Sequence, residues 1–375
     1  MNTPKRAFAE INLKNIEHNF REIARHVDGA DIITVIKADA YGHGAVELAR
    51  LYTELGAKML AVACLDEALE LRAGGITLPI LIFGATPPEY ADLLAKNSLT
   101  QAVGSYSYAK ALSDALQKTS SEIKIHIKLD TGMTRMGIYA HTAFSLPAAD
   151  EAEKITKLPS LCAEGIFTHF AESDGESESF TDEQFAAFEA VLDELSRRGT
   201  TFKFCHCANS AAVINYKKTH LNCVRPGLIL YGISPMGKNE SPLDLRPAMT
   251  LYTTVADVRE IKQGDYISYN RTERATRDMK IAILSCGYAD GFFRLLSRCG
   301  EVKLFGKRAK VLGNVCMDLI AVDATDIPEV KQFDVATVFD GELIYEHASL
   351  AKTITYEILT SVSKRVERTY TNSPA

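Results

Sequence analysis

Eight short apolar runs rich in β-branched residues recur through the first 235 or so residues of this chain, at 32–36, 59–64, 79–83, 99–103, 123–129, 161–168, 202–205 and 222–225. Amphipathic stretches of helical spacing separate them, such as 45–55, 87–96, 106–118 and 181–198. Eight strands alternating with helices is the pattern of a parallel (β/α)8 barrel of the TIM type. A doubly wound sheet is the competing architecture. It loses support because no Gly-x-Gly-x-x-Gly turn follows the first run.

The texture changes after Ser234-Pro235. Pro242, Pro247 and several charges mark a connection, and short strand-like runs punctuated by glycine follow, at 250–261, 266–269, 280–285, 302–305, 309–312 and 315–322. These predict a mostly β second domain. Its last segment, 356–366, fits a helix or a strand edge. A length of 375 residues agrees with two domains, here 1–235 and 236–375.

Composition removes several classes of function. The net charge is -6 and no long basic run occurs, so nucleic acid is not an expected partner. Eight cysteines are scattered without a CxxC pair. Cys205-His206-Cys207 resembles a metal cluster at first sight, but ligands one residue apart on a strand point to opposite faces. Reduced thiols and no metal are expected. The N-terminal residues carry no apolar stretch after their basic ones, and no apolar run approaches the ~20 residues of a membrane-spanning helix. A cytoplasmic protein is expected.

In barrels of this kind chemistry gathers where the strands end. The first run delivers Lys37, within Val35-Ile36-Lys37-Ala38-Asp39-Ala40-Tyr41-Gly42-His43-Gly44. The fifth delivers Lys128, Asp130 and Arg135, the sixth His169, the seventh His206, Asn209 and Ser210, and the eighth Arg225, Pro226 and Gly227. Buried charges must be paired or neutral, so a purely structural barrel rarely brings so many to one rim.

Lys37 directly follows an apolar strand. Such a lysine can simply snorkel to solvent. It can also act as a Schiff-base nucleophile, activated by desolvation. The small residues after it, with Tyr41 and the glycines flanking His43, leave space for a bulky group. Asn209-Ser210 opens a helix and can be an ordinary N-cap. The same geometry suits an anion. Gly227 and Leu228 follow the eighth strand, and loops after strands seven and eight are the recurrent phosphate site of barrels. A phosphorylated cofactor is consistent with both.

The Lys37 segment resembles the cofactor-lysine signature of alanine racemases. The resemblance extends through Lys128 to Gly137, Thr168-His169-Phe170-Ala171, His206 to Ser210 and Val224-Arg225-Pro226-Gly227-Leu228. It continues with Ser268-Tyr269, Gly287-Tyr288-Ala289-Asp290-Gly291 and Gly313-Asn314-Val315-Cys316-Met317-Asp318. It implies a pyridoxal 5'-phosphate enzyme that interconverts L- and D-alanine, working as a homodimer paired head to tail. Lys37 would bind the cofactor covalently and serve as one base. Tyr269, donated by the other subunit, would be the second. Arg135 and the Met317 backbone would hold the substrate carboxylate. Arg225 would bond the pyridine nitrogen with His169 behind it. Tyr41, Asn209, Ser210, Gly227 and Leu228 would surround the cofactor and its phosphate. Lys128 matches a lysine that is carbamylated in some members and would buttress Arg135. Tyr288 and Asp318 would line or support the entrance.

Racemisation needs a proton removed from one face of Cα and returned to the other, which two fixed bases accomplish with little motion. A tyrosine ionises near pH ~10 when free, so nearby positive charge must assist it. A guanidinium offers only donors. The pyridine nitrogen it meets must therefore accept, which makes the ring a weaker electron sink and discourages transamination. One departure stands out. Many members read Ser-Tyr-Arg-Val-Pro-Arg near the C-terminus, with the tyrosine on the phosphate, whereas this chain reads Ser363-Lys364-Arg365-Val366-Glu367-Arg368. Lys364 could take over the phosphate as a point charge. The rival readings are a barrel-type amino-acid decarboxylase or a racemase for serine or a basic residue, and, from another class, a non-catalytic pyridoxal-phosphate carrier. Arg225 argues against the decarboxylase, and the β domain with Tyr269 against the carrier.

Overall fold

The computed structural model describes residues 5–175, 179–238 and 240–372. Eight parallel strands close into a ring: Asp31–Val35, Met59–Val62, Ile80–Ile82, Leu99–Val103, Ile123–Asp130, Leu161–Phe167, Phe204–His206 and Cys223–Val224. Each pairs with the next, and the eighth closes on the first through Val224 and Ile32. Covered outside by helices, these strands are buried on both faces, and Met59–Val62, Ile80–Ile82 and Leu99–Val103 are buried throughout. The expected barrel is thus present, with every strand where the apolar runs place it. The helices Ala45–Glu54, Ala91–Lys96, Tyr106–Gln117 and Ser179–Arg197 fall within the expected stretches, apart from the first residues of the last.

The second unit is a sheet of eight strands. Six of them, Met279–Leu284, Ile320–Asp323, Lys307–Leu312, Glu301–Leu304, Val335–Phe339 and Met249–Ile261, form a closed circuit. The long strand Met249–Ile261 closes the circuit, pairing on one edge with Val335–Phe339 near its start and on the other with Met279–Leu284 near its end.

Three segments differ from expectation. Ala7–Asn12, inside the stretch assigned to the barrel, pairs antiparallel with Met249–Ile261 and parallel with Glu367–Thr371. This strand therefore belongs to the second sheet and ties it to the barrel. Within 315–322 only Ile320–Asp323 is a strand. The Cys316 and Met317 carbonyls instead accept N–H groups from Tyr288 and Ala289. The final segment is the helix Thr355–Ser361, with the strand following only at Glu367–Thr371. No helix among the described residues is long and apolar enough to cross a membrane.

The first barrel strand runs into an unusual turn. Ala38, Asp39, Ala40 and Tyr41 all have φ between 52° and 54°. The first three have ψ between 47° and 53°, which makes a left-handed helical turn. It closes its own bonds, from Ala40 N–H to Ile36 O and from Gly42 N–H to Ala38 O. The Asp39 carboxylate accepts the Ala45 N–H at 2.7 Å and so fixes the next helix. Arg368, on the last strand, donates to Gly42 O at 2.9 Å. Gly44 is required here, because a Cβ would sit 1.8 Å from the Tyr370 hydroxyl.

Candidate active site

A cavity of about 700 Å³ opens at the C-terminal ends of the barrel strands. Lys37, Lys128, Arg135 and Arg225 all line it, against Asp174 as the acidic group among the lining residues. Tyr41, His169, Asn209, Ser210 and Gly227 line it as well, with Ser173, Tyr356 and Thr360. Phe83, Phe167, Met133 and Met136 form apolar walls. A cleft with this charge excess attracts anions.

Lys37 sits at the exit of the first strand, just before the left-handed turn. Burial, then the Arg135 charge, holds its amine below the ordinary lysine range, while Glu67 works in the opposite direction. The Glu67 carboxylate also accepts the Ala38 and Ala63 N–H groups at 2.7 Å, pinning the backbone beside Lys37. Lys128 lies over the Phe167 ring at 5.2 Å. Burial, followed by the charges of Arg225 and Arg135, lowers its pKa to about 8. A lysine in that state exposes a free amine near neutral pH.

Arg225 is held on several sides. One arm donates to His206 Nδ1 at 2.8 Å. The other donates to Thr168 O at 2.7 Å and Cys207 O at 3.1 Å, with His169 Nδ1 at 3.3 Å. Its face lies over Phe167 at 5.3 Å. Burial, then the charges of Arg225, Lys128, Arg135 and Lys37, keeps His169 well below the usual imidazole range. His206 and Cys207 diverge as neighbours on a strand must, the imidazole toward Arg225 and the thiol to Thr219 O.

At the opposite wall the Asn209 carboxamide caps its helix by accepting the Ala212 N–H at 2.9 Å. The Ser210 hydroxyl oxygen accepts the Gly227 N–H at 2.9 Å, which leaves its own proton free to donate. A Cβ at Gly227 would meet the Tyr41 hydroxyl at 2.6 Å, so only glycine lets the eighth-strand loop come this close.

The family model for the alanine racemase N-terminal domain matches residues 11–235, and that for the C-terminal domain matches 248–370. The chain belongs to the alanine racemase family. It is 41% identical over 373 residues to alanine racemase 1 of Clostridium acetobutylicum, an alignment covering 97% of this chain and 95% of that one. The solved alanine racemase of Clostridium difficile 630 superposes with a TM-score of 0.92 at 36% identity, covering 99% of this chain and 96% of its own. That of Bartonella henselae, solved with covalently bound pyridoxal phosphate, gives 0.88 at 30% identity, with 98% and 100% covered.

The cavity gathers nine of the residues singled out for the racemase site: Lys37, Tyr41, Lys128, Arg135, His169, Asn209, Ser210, Arg225 and Gly227. Leu228 is fully buried behind Gly227 and does not line it. Tyr269, Tyr288, Met317 and Asp318 are also outside it and lie together on the second domain. Tyr269 is 68% exposed, and its carbonyl is fixed by the Asn314 carboxamide at 2.9 Å. The Tyr288 N–H bonds Cys316 O at 3.0 Å, which joins the loop bearing Met317 and Asp318. Asp318 pairs with Arg365 at 2.8 Å.

Lys364 is exposed and absent from the cavity wall. A second phenol on the wall, besides Tyr41, is Tyr356 on the helix Thr355–Ser361, with the two rings 5.9 Å apart. Sequence reasoning missed it because nothing in a seven-residue helix says which residue faces the other domain. It also missed Glu67. A carboxylate in an ordinary helical pattern carries no mark of the backbone it anchors elsewhere.

Proposed function

We propose that this chain interconverts L- and D-alanine by moving a proton between the two faces of Cα, with Lys37 as one base and Tyr269 of a second copy as the other. The observation that carries the reading is the amine of Lys37, depressed by burial, in a cationic cavity at the rim of an alanine racemase barrel. The residues present fit pyridoxal phosphate. A roughly 700 Å³ space with one acidic and four basic side chains suits a dianionic phosphate and a substrate carboxylate together. Bound there, the cofactor supplies an electron sink that acidifies the Cα proton. The Bartonella henselae relative carries its cofactor covalently, and Lys37 is the residue to which we assign that bond.

The chain's own groups divide the remaining work. Ser210, with its free proton, and the loop at Gly227 hold the phosphate. Tyr356 assists them as a donor, because burial, then Asp174, pushes its pKa up to about 12 and keeps it a phenol. Arg225 presents a guanidinium that can only donate to the ring nitrogen. Arg135 anchors the substrate carboxylate, with the Met317 N–H of the second copy closing from the other side. A deprotonated Lys37 amine takes or returns the proton on its face of Cα.

Holoenzyme supplied with L-alanine should release D-alanine, with kcat/KM higher for alanine than for serine, lysine or arginine. A chiral amino-acid assay measures this. No D-alanine would overturn the reading, and a preference for a basic amino acid would make the chain a racemase of broad specificity.

Lys128 carries a carbamate in this reading. Only an uncharged amine attacks carbon dioxide, and a pKa of about 8 supplies that form near neutrality. The product anion would pair with Arg135 and stiffen it. Protein equilibrated with 13C-bicarbonate should show a carbamate signal that strengthens as pH rises through about 8 and is lost in Lys128→Met. Absence of the signal in unmodified protein at alkaline pH would remove this role.

A further inference from the structure

Behind Arg225 the barrel contains a chain of polar groups that the racemase site itself does not use. His206 Nε2 lies 2.8 Å from His126 Nδ1. His126 Nε2 faces Glu164 Oε1 at 3.8 Å, and neither of these two buried atoms has another partner among the described residues. Glu164 Oε2 pairs with Lys124 at 3.1 Å, where the chain reaches the surface. Both imidazoles are fully buried.

The direction of every bond follows from one end. Arg225 can only donate, so His206 Nδ1 must accept. The proton of His206 is therefore on Nε2 and is donated to His126 Nδ1. His126 must then carry its own proton on Nε2, aimed at the Glu164 carboxylate. A protonated His206 would set two donors against each other at Arg225. Burial, then the Arg225 charge, holds His206 well below the usual imidazole range, in line with this.

Local structure is shaped for the chain. The strands of His126 and Glu164 pair Ile125 with Ala163 and then His126 with Gly165, so Glu164 is an extra, bulged residue. Bulges re-aim a side chain, and this one brings a carboxylate to the imidazole. Gly165 makes room, because a Cβ there would lie 2.6 Å from the His126 ring. Phe167 stacks on His206 at 4.9 Å and Phe204 on His126 at 5.6 Å, which fixes both ring planes.

We propose that His126 and Glu164 are positioning residues for the racemase reaction: through His206 they lock Arg225 as an oriented donor toward the cavity. This rests on the role given to Arg225 above. The carboxylate draws proton density along the chain, away from Arg225. The bond from Arg225 to His206 is strengthened, and the guanidinium is held so that it meets the ring nitrogen only as a donor.

The test compares two replacements. His126→Phe keeps an aromatic ring between Phe204 and Gly165 but strands the His206 proton. His126→Asn keeps an acceptor for His206 and a donor for Glu164 while packing worse. Glu164→Gln keeps the shape and removes the charge, and it stands in if His126→Phe fails to fold. In protein labelled with 15N-histidine, both imidazoles should be neutral with the proton on Nε2 at neutral pH. That measurement requires no racemisation, so it separates this proposal from the assignment of function. In holoenzyme, His126→Phe and Glu164→Gln should shift the visible band of the cofactor and lower kcat by about tenfold, the scale on which outer partners of a reacting group act. His126→Asn should restore much of both. A His206 proton on Nδ1, an unchanged band in Glu164→Gln, or a His126→Phe enzyme better than His126→Asn would each overturn the proposal.

Discussion

Replacing Lys37 by alanine should abolish racemisation and the covalent hold on the cofactor together. The fall in kcat should be on the order of 10³-fold or more, as when one member of a catalytic unit is removed. The measurement is borohydride treatment of holoprotein followed by peptide mapping. Unaltered protein should carry the reduced cofactor on the peptide containing Lys37, and Lys37→Ala should carry none. The cavity makes this a demanding test because it holds a second lysine with a depressed pKa, Lys128 at about 8. The two differ in place. Lys128 is 8% exposed and lies against Phe167, whereas Lys37 is half-buried at the end of its strand with the cavity before it. A reduced adduct on Lys128 in unaltered protein would reassign the nucleophile.

The second large effect is a return of activity on mixing two dead enzymes. Tyr269 does not line the cavity of its own chain, and its ring is mostly in solvent. We expect that ring to enter the cavity of a second copy, which makes the dimer part of the site. Lys37→Ala and Tyr269→Ala should each be nearly inactive. Unfolded together and refolded, half of the dimers at random assortment would contain one chain of each kind. In such a dimer one site collects both lesions and the other neither, so about a quarter of the full activity should return. If both groups of a site came from one chain, every site would keep a lesion. Mixed dimers confirmed by mass, yet inactive, would rule out the shared site.

Much of the barrel was legible because a strand buried on both faces is written as an unbroken apolar run. The runs at 59–64 and 79–83 need no partner information to be recognised. Ala7–Asn12 is different. Its burial alternates along the strand, but its neighbours Met249–Ile261 and Glu367–Thr371 are more than 200 residues away. No local pattern carries that pairing. Residues 315–319 misled in the opposite sense, since Val315 and Cys316 look like strand, but their course is set by bonds to Tyr288 and Ala289. The site divides similarly. Groups at strand ends, such as Lys37, Arg225 and His169, could be found by counting along each run. Tyr356 comes from the other domain, and the His126 and Glu164 chain depends on a bulge, so neither is marked in the sequence.

The turn after Lys37 has a consequence for heat stability that reverses the usual rule for a D-residue in a helix. L-residues in a left-handed helical turn carry roughly 1–2 kcal/mol each of steric cost, and Ala38, Asp39, Ala40 and Tyr41 occupy that conformation in succession. The mirror form of alanine would rest there without strain. A D-alanine placed at 38 or 40 by chemical synthesis should therefore raise the melting temperature, although in an ordinary helix it would lower it. An enzyme that turns one hand of alanine into the other holds its own L-alanines, next to Lys37, in the backbone shape that belongs to the opposite hand.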